Sequence, residues 1–216
     1  MRRLVLSLVV GLFATAPTAQ ETGKAKPLSV VAANALLTEK GTELTDADLE
    51  RVCTATDMAA LDLSGCGRLT DAGLSHVAKL EQLKTLTLTR CHRITARGVA
   101  SISKLPRLVS LNLSSTRANL PAVYAQLTNF PALTKLEVRD IRGFKSEGLQ
   151  KLTRLTYLDI STSSGGLTDA TFAPLATLTA LTYFNANGSR QWSANRNLTD
   201  KGLKHLEGMT SLEFLG

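Results

Sequence analysis

Apolar residues return along this chain in the pattern L-x-x-L-x-L. Leu83, Leu86 and Leu88 form one copy, and Leu108, Leu111 and Leu113 form the next. The central anchors are Leu61, Leu86, Leu111, Leu136, Leu158, Phe184 and Leu215, so successive copies lie 25, 25, 25, 22, 26 and 31 residues apart. Strict alternation in the L-x-L core predicts a short strand whose anchors share one face and whose intervening residues share the other. Between strands the apolar spacing becomes helical: Leu74, Val77 and Leu80, then Val99, Ile102 and Leu105, then Leu203, Leu206 and Met209. A Thr or Ser stands where most of these helices open (Thr45, Thr70, Thr95, Ser146, Thr168, Thr199), the position at which a side-chain oxygen caps the first backbone N–H groups. The last helix is predicted over Lys201 to Met209. No single unit of this kind can bury its own apolar face, so the units must stack. The predicted fold is an α/β solenoid, with a curved parallel sheet inside and helices outside.

The motif L-x-L-S-G-C-x-x-L-T-D-x-G-L at Leu61 to Leu74, copied at Leu86 to Val99, resembles the leucine-rich-repeat superfamily, and within it the cysteine-containing subclass, here of a bacterial exported type. The resemblance spans residues 44–216. It weakens in later units, where Thr116, Ile141, Ser163 and Ser189 replace the cysteine. It implies a concave sheet that binds another macromolecule. Many eukaryotic members of the subclass are F-box substrate receptors. That role does not suit this sequence, which has an expected export signal and only about twenty residues between the expected cut and the first repeat-like helix.

The chain begins with Arg2 and Arg3, followed by an apolar run from Leu4 to Ala14. That run is too short to span a bilayer and has the composition of a secretory signal. The expected organisation is a signal peptide over 1–19, a polar linker over 20–27, a capping segment over 28–43 and the repeats over 44–216. Cleavage after Ala16 and after Ala19 both remain open, because Pro17 lies close to each. The protein is therefore expected in the periplasm or outside the cell, without a transmembrane anchor.

Composition narrows the reading further. Aromatics make up 5% of the chain, so the core must be built from aliphatic residues. The formal charge of +7 falls to +5 once Arg2 and Arg3 are removed. Lys and Arg are scattered, with no run of five, so no nucleic-acid partner is expected. Cys66 and Cys91 occupy equivalent turns; a buried ladder of thiols is the favoured reading over a disulfide or a zinc site with His92. Asp46, Asp71, Asp169 and Asp200 each follow a Thr, and complementing a helix N-terminus accounts for them better than calcium does. His76 and His205 hold one repeat position and read as scaffold. No nucleophile elbow or glycine-rich phosphate loop is present, so neither an enzyme nor a cofactor is expected.

What remains is a binding module, with an envelope-associated scaffold as the alternative. The outward strand residues start small and polar: Ala60, Asp62, Ser64, then Thr85, Thr87, Thr89, then Ser110, Asn112, Ser114. They then change to Lys135, Glu137, Arg139, then Tyr157, Asp159, Ser161, then Tyr183, Asn185, Asn187. Tyr and Arg carry binding energy most often, so a protein partner is expected on the later rows, around Arg139, Tyr157 and Tyr183. Trp192, in the long insertion 189–197, is a second candidate contact, or else a local plug folded over the adjacent repeat. Leu212, Phe214 and Leu215 are read as apolar anchors of a final strand, whose open edge suits a monomer or a weak homodimer.

Overall fold

The computed structural model describes residues 26–117, 120–141, 144–161, 163, 167–188 and 198–216. The expected signal peptide, most of the linker and the insertion carrying Trp192 lie outside the described residues.

Seven strands form one all-parallel sheet in sequence order: β1 Ala60–Asp62, β2 Thr85–Thr87, β3 Ser110–Asn112, β4 Lys135–Glu137, β5 Tyr157–Asp159, β6 Tyr183–Asn185 and β7 Phe214–Leu215. The register pairs the anchors directly, from Leu61 through Leu86, Leu111, Leu136 and Leu158 to Phe184 and Leu215. The repeat spacing therefore sets the strand pairing. Between strands lie short helices: α2 Asp46–Val52 before β1, then α3 Asp71–Ser75, α4 Ala96–Ser101, α5 Leu120–Leu127, α6 Asp169–Phe172 and α7 Asp200–Leu203. The core is one continuous column of leucines between the two layers; Leu61, Leu86, Leu111, Leu136 and Leu158 are all essentially inaccessible to solvent. This is the leucine-rich-repeat solenoid architecture.

Three of these six helices, α3, α6 and α7, run on into a 3-10 turn, which rises more per residue than an α-helix. The predicted helix over Lys201 to Met209 is such a composite: α7 stops at Leu203 and a 3-10 turn follows over Lys204–Leu206. In the unit only 22 residues long the helical segment among the described residues is a 3-10 turn at Leu149–Lys151. Ser146 consequently caps no helix. Gly148 stands at the cap instead, at φ 102°, where an added Cβ would press on Tyr124.

Before the first unit, Ser29 caps helix α1, Val30–Lys40, whose Ala33 is fully buried against the core. At the other end Leu215 holds an anchor position, yet it is exposed because among the described residues no further unit covers it.

The turns after β1, β2, β3 and β4 pass through left-handed backbone. Gly65 occupies it after β1 at φ 76°, and Arg90, Ser115 and Asp140 occupy the equivalent positions at φ 60°, 55° and 53°. Glycine is suited to this conformation, whereas a residue with a Cβ costs roughly 1–2 kcal/mol there.

The threonines at 45, 70, 95, 168 and 199 do cap their helices. The aspartates that follow them do more than complement the helix ends. Asp46 accepts hydrogen bonds from the backbone N–H and hydroxyl of Thr70, one unit on, at 2.9 and 2.6 Å. Asp71 does the same to Thr95 at 2.8 and 2.6 Å, and Asp169 to Thr199 at 2.8 and 2.8 Å. Each staple forces a glycine three residues after the receiving Thr: a Cβ on Gly73, Gly98 or Gly202 would stand 2.1, 2.3 or 2.6 Å from the incoming carboxylate oxygen. Among the described residues Thr45 and Thr168 receive no staple. There the third residue, Asp48 or Thr171, turns back to accept from the Thr backbone itself, closing a capping box.

Candidate binding surface

The intervening residue of each L-x-L strand points away from the core, and residues in register stand side by side across the concave face. Strands in one sheet lie about 4.8 Å apart. Flat side chains in one row can therefore stack face to face at nearly strand spacing. The row through the first strand position does so. Tyr157 and Tyr183 stack with ring centroids 4.1 Å apart and planes 2° from parallel, and Phe214 continues the stack on Tyr183 at 4.4 Å and 7°. The ammonium of Lys135 closes the other end, 4.2 Å from the Tyr157 ring centroid. Burial is the main cause that pushes the Tyr157 phenol well above its ordinary value, helped by the Tyr183 hydroxyl and by Glu137 and Asp159. The row therefore presents a run of flat aromatic faces with the Lys135 amino group lying over the first of them.

The next row is a hydrogen-bonded support. Glu137 takes Lys135 at 3.1 Å and Arg139 at 3.7 Å, and accepts from the Asn112 amide at 3.0 Å. Asp159 lies in the same row but is only 4% exposed. Its carboxylate accepts from Ser161 N–H at 2.9 Å and from the Asn185 amide at 3.4 Å. It was expected to be a contact residue, but it is a buried brace, its carboxylate turned to these two donors within the sheet. Arg139 is exposed at the edge of the row, and Asn185 is half-buried. Lys135, Glu137, Arg139, Tyr157, Tyr183 and Asn185 thus form one patch, whereas Trp192 lies outside the described residues.

Phe214 was missed as a surface residue. It was grouped with the anchors Leu212 and Leu215, yet it pairs with Tyr183 and is 43% exposed on the concave face. The signal was available, since the 31-residue step from Phe184 to Leu215 carries Tyr183 onto Phe214.

The first three rows contrast with this patch. Asp62 accepts from the backbone N–H of Ser64 at 2.9 Å and from its hydroxyl, and Thr89 bonds Asn112 at 3.2 Å. Asp62 and Ser64 thus satisfy one another, and Asn112 serves both Thr89 and the Ser114 N–H. The thiols of Cys53, Cys66 and Cys91 are free and buried. Cys91 donates to the Leu63 carbonyl at 3.0 Å and Cys66 to the Gly41 carbonyl at 3.5 Å, tying successive turns. Burial pushes the Cys91 thiol up to about 12, so it stays protonated and inert. Among the described residues no helix is long and apolar enough to cross a membrane.

A family profile described as a leucine-rich repeat matches residues 56–78. No curated protein matches the sequence. Among solved structures the chain is similar to internalin C2 of Listeria monocytogenes, at 21% identity and a TM-score of 0.50, over 89% of this chain and 98% of that one. A chain of the yeast Rad7–Elc1 complex is similar at 21% identity and a TM-score of 0.50, over 66% of this chain and 38% of that one. TLR13, crystallised with ssRNA13, is similar at 20% identity and a TM-score of 0.51, over 82% of this chain and 24% of that one. At these identities the likeness is one of fold: a leucine-rich-repeat solenoid, an architecture that typically binds proteins and is usually non-catalytic.

Proposed function

We propose that this chain is a non-catalytic protein-binding module whose concave face meets a protein partner through the row Lys135–Tyr157–Tyr183–Phe214, flanked by Arg139. The observation that carries this reading is the stack of three aromatic rings in register on an otherwise small and polar face. Rigid aromatics lose little side-chain freedom on binding, and such residues together with Arg dominate interface energetics. The partner is a protein whose contact surface offers apolar groups to the ring edges and carboxylates to Lys135 and Arg139.

The Arg2-Arg3 start and the apolar run Leu4 to Ala14 support export to the periplasm or beyond, where the partner would be met. Exposed Leu203, Phe214 and Leu215 near the free side of β7 support weak self-association by that edge, which sedimentation across a concentration series would register as a rising mean mass.

The deciding experiment is a crosslinking pull-down with the exported chain, followed by binding measurements on Y157A/Y183A. The double substitution should cost well over 1 kcal/mol, about tenfold or more in affinity. Unchanged affinity would show that the tyrosines only shield the sheet.

A further inference from the structure

A second site lies off the concave face, on the rim formed by the turns that follow β2, β3 and β4. These turns stack a unit apart. Stacking brings Arg90 and His92 of one turn, Ser115 and Arg117 of the next, and Asp140 and Ile141 of the third around a cleft of about 510 Å³. That volume lies within the range of small-molecule sites. Arg90, His92, Arg117 and Asp140 are exposed at its walls, and Ile141 is buried at its floor. Neither Arg90 nor Arg117 has a carboxylate within 4.0 Å among the described residues. Asp140 is held by the Ser115 hydroxyl at 2.9 Å, which fixes its direction and leaves an oxygen free to accept. The cleft is therefore dipolar, with the guanidinium groups of Arg90 and Arg117 on the turns after β2 and β3 and an oriented carboxylate beside buried Ile141 on the turn after β4.

The backbone adds a separate argument. Arg90 takes the left-handed turn that Gly65 takes one unit earlier. Glycine would be the relaxed choice, yet the position carries a long guanidinium over the cleft. Residues held in such conformations cluster at functional sites. Their presence alone decides nothing, but here the strained residue is also one of the donors that line the cavity.

We infer that this rim cleft binds a small anionic sugar, a monosaccharide bearing one phosphate or sulfate ester. Guanidinium groups present paired donors that match the oxygens of such an ester, and Arg90 and Arg117 would take it. Asp140 would accept from a sugar hydroxyl at the far end. Ile141 would meet the C–H face of the ring. The carboxylate also disfavours a second anionic group, which sets a monoester apart from an extended polyanion.

Isothermal titration of the full chain with glucose 6-phosphate, glucose, inorganic phosphate and a heparin fragment, in low salt, tests the assignment. Saturable binding of glucose 6-phosphate is expected, at least tenfold tighter than glucose or phosphate alone. Arg117→Gln should weaken it at least tenfold, and Lys104→Gln on the helical side should leave it unchanged. Arg90→Gly removes a guanidinium while relieving the turn, so it should lose binding yet melt no lower than the parent. That variant separates loss of the site from loss of the fold. Inorganic phosphate or heparin binding as tightly as the sugar phosphate, or undiminished binding in Arg90→Gly, would overturn the assignment.

Discussion

The two ends of the solenoid are joined differently from its middle. Across the seams α2–α3, α3–α4 and α6–α7, an aspartate of one unit grips the capping threonine of the next, and a glycine makes room for it. Through the middle the staple is missing among the described residues, because Ala96 and Glu147 stand where the aspartate would be. Single side chains take over there. Arg154 donates to the carbonyls of Phe130 and Pro131, and Thr177 donates to the Gln150 carbonyl at 2.9 Å. The middle seams also bracket the shortened unit, and beside them lie the first residues of the aromatic row and the rim cleft. Cohesion on the helical side and recognition on the sheet and rim are thus served by different residues, so either can be altered without the other.

The comparison is broken most severely at the glycines. Gly73→Ala puts a Cβ into the Asp46 carboxylate, with overpacking and two lost charge-assisted hydrogen bonds together costing about 3 kcal/mol. Urea unfolding should show the midpoint falling sharply. Gly208→Ala, with nothing within 4 Å of its new Cβ, should stay within about 0.5 kcal/mol of the parent. Equal effects would remove the staple from the account.

A smaller loss is expected on removing the carboxylate alone. Asp71→Ala should cost about 2 kcal/mol, since it frees the Thr95 N–H and hydroxyl together. Asp200→Ala occupies the same position in the last unit with no following threonine among the described residues, and should shift the midpoint hardly at all.

Acid should act on one of these seams and on the first capping box. Hydrogen bonds from the Thr199 backbone, and next from its hydroxyl, hold the Asp169 carboxyl below its ordinary value of 3.8, and bonds from Thr45 lower Asp48 likewise. A depressed folded value means stability that is present above the ordinary carboxylate range and lost as pH falls through the folded value. Melting temperature should therefore fall below about pH 4, and Asp169→Asn should flatten that fall. A parallel fall in parent and variant would contradict the assignment.

The least disturbance of the fold is expected on the recognition side. Tyr183→Ala removes the central ring of the stack, worth roughly 1 kcal/mol beyond its buried area. The melting temperature should drop slightly while partner affinity drops much more. A drop in stability as large as that of Gly73→Ala would place the tyrosines among the cohesive residues instead.

Much of this molecule was legible in the one-dimensional pattern. Leu61, Leu86 and Leu111 at equal spacing specify parallel strands in register, because the side-chain period of a strand and the length of a unit together leave one way to close the core. The outward residues followed from alternation, so the row containing Tyr157 and Tyr183 was readable before any coordinates. Phe214 was also readable by register, and was passed over because an aromatic near the chain's last residues resembles an anchor. What the tertiary structure alone decided is how residues of different units meet. The use of Asp46 by Thr70, the burial of Asp159 on β5, and the gathering of Arg90, Arg117 and Asp140 around one cleft all depend on the distance and angle between stacked units. Those quantities come from packing the whole column of side chains, and no local propensity encodes them.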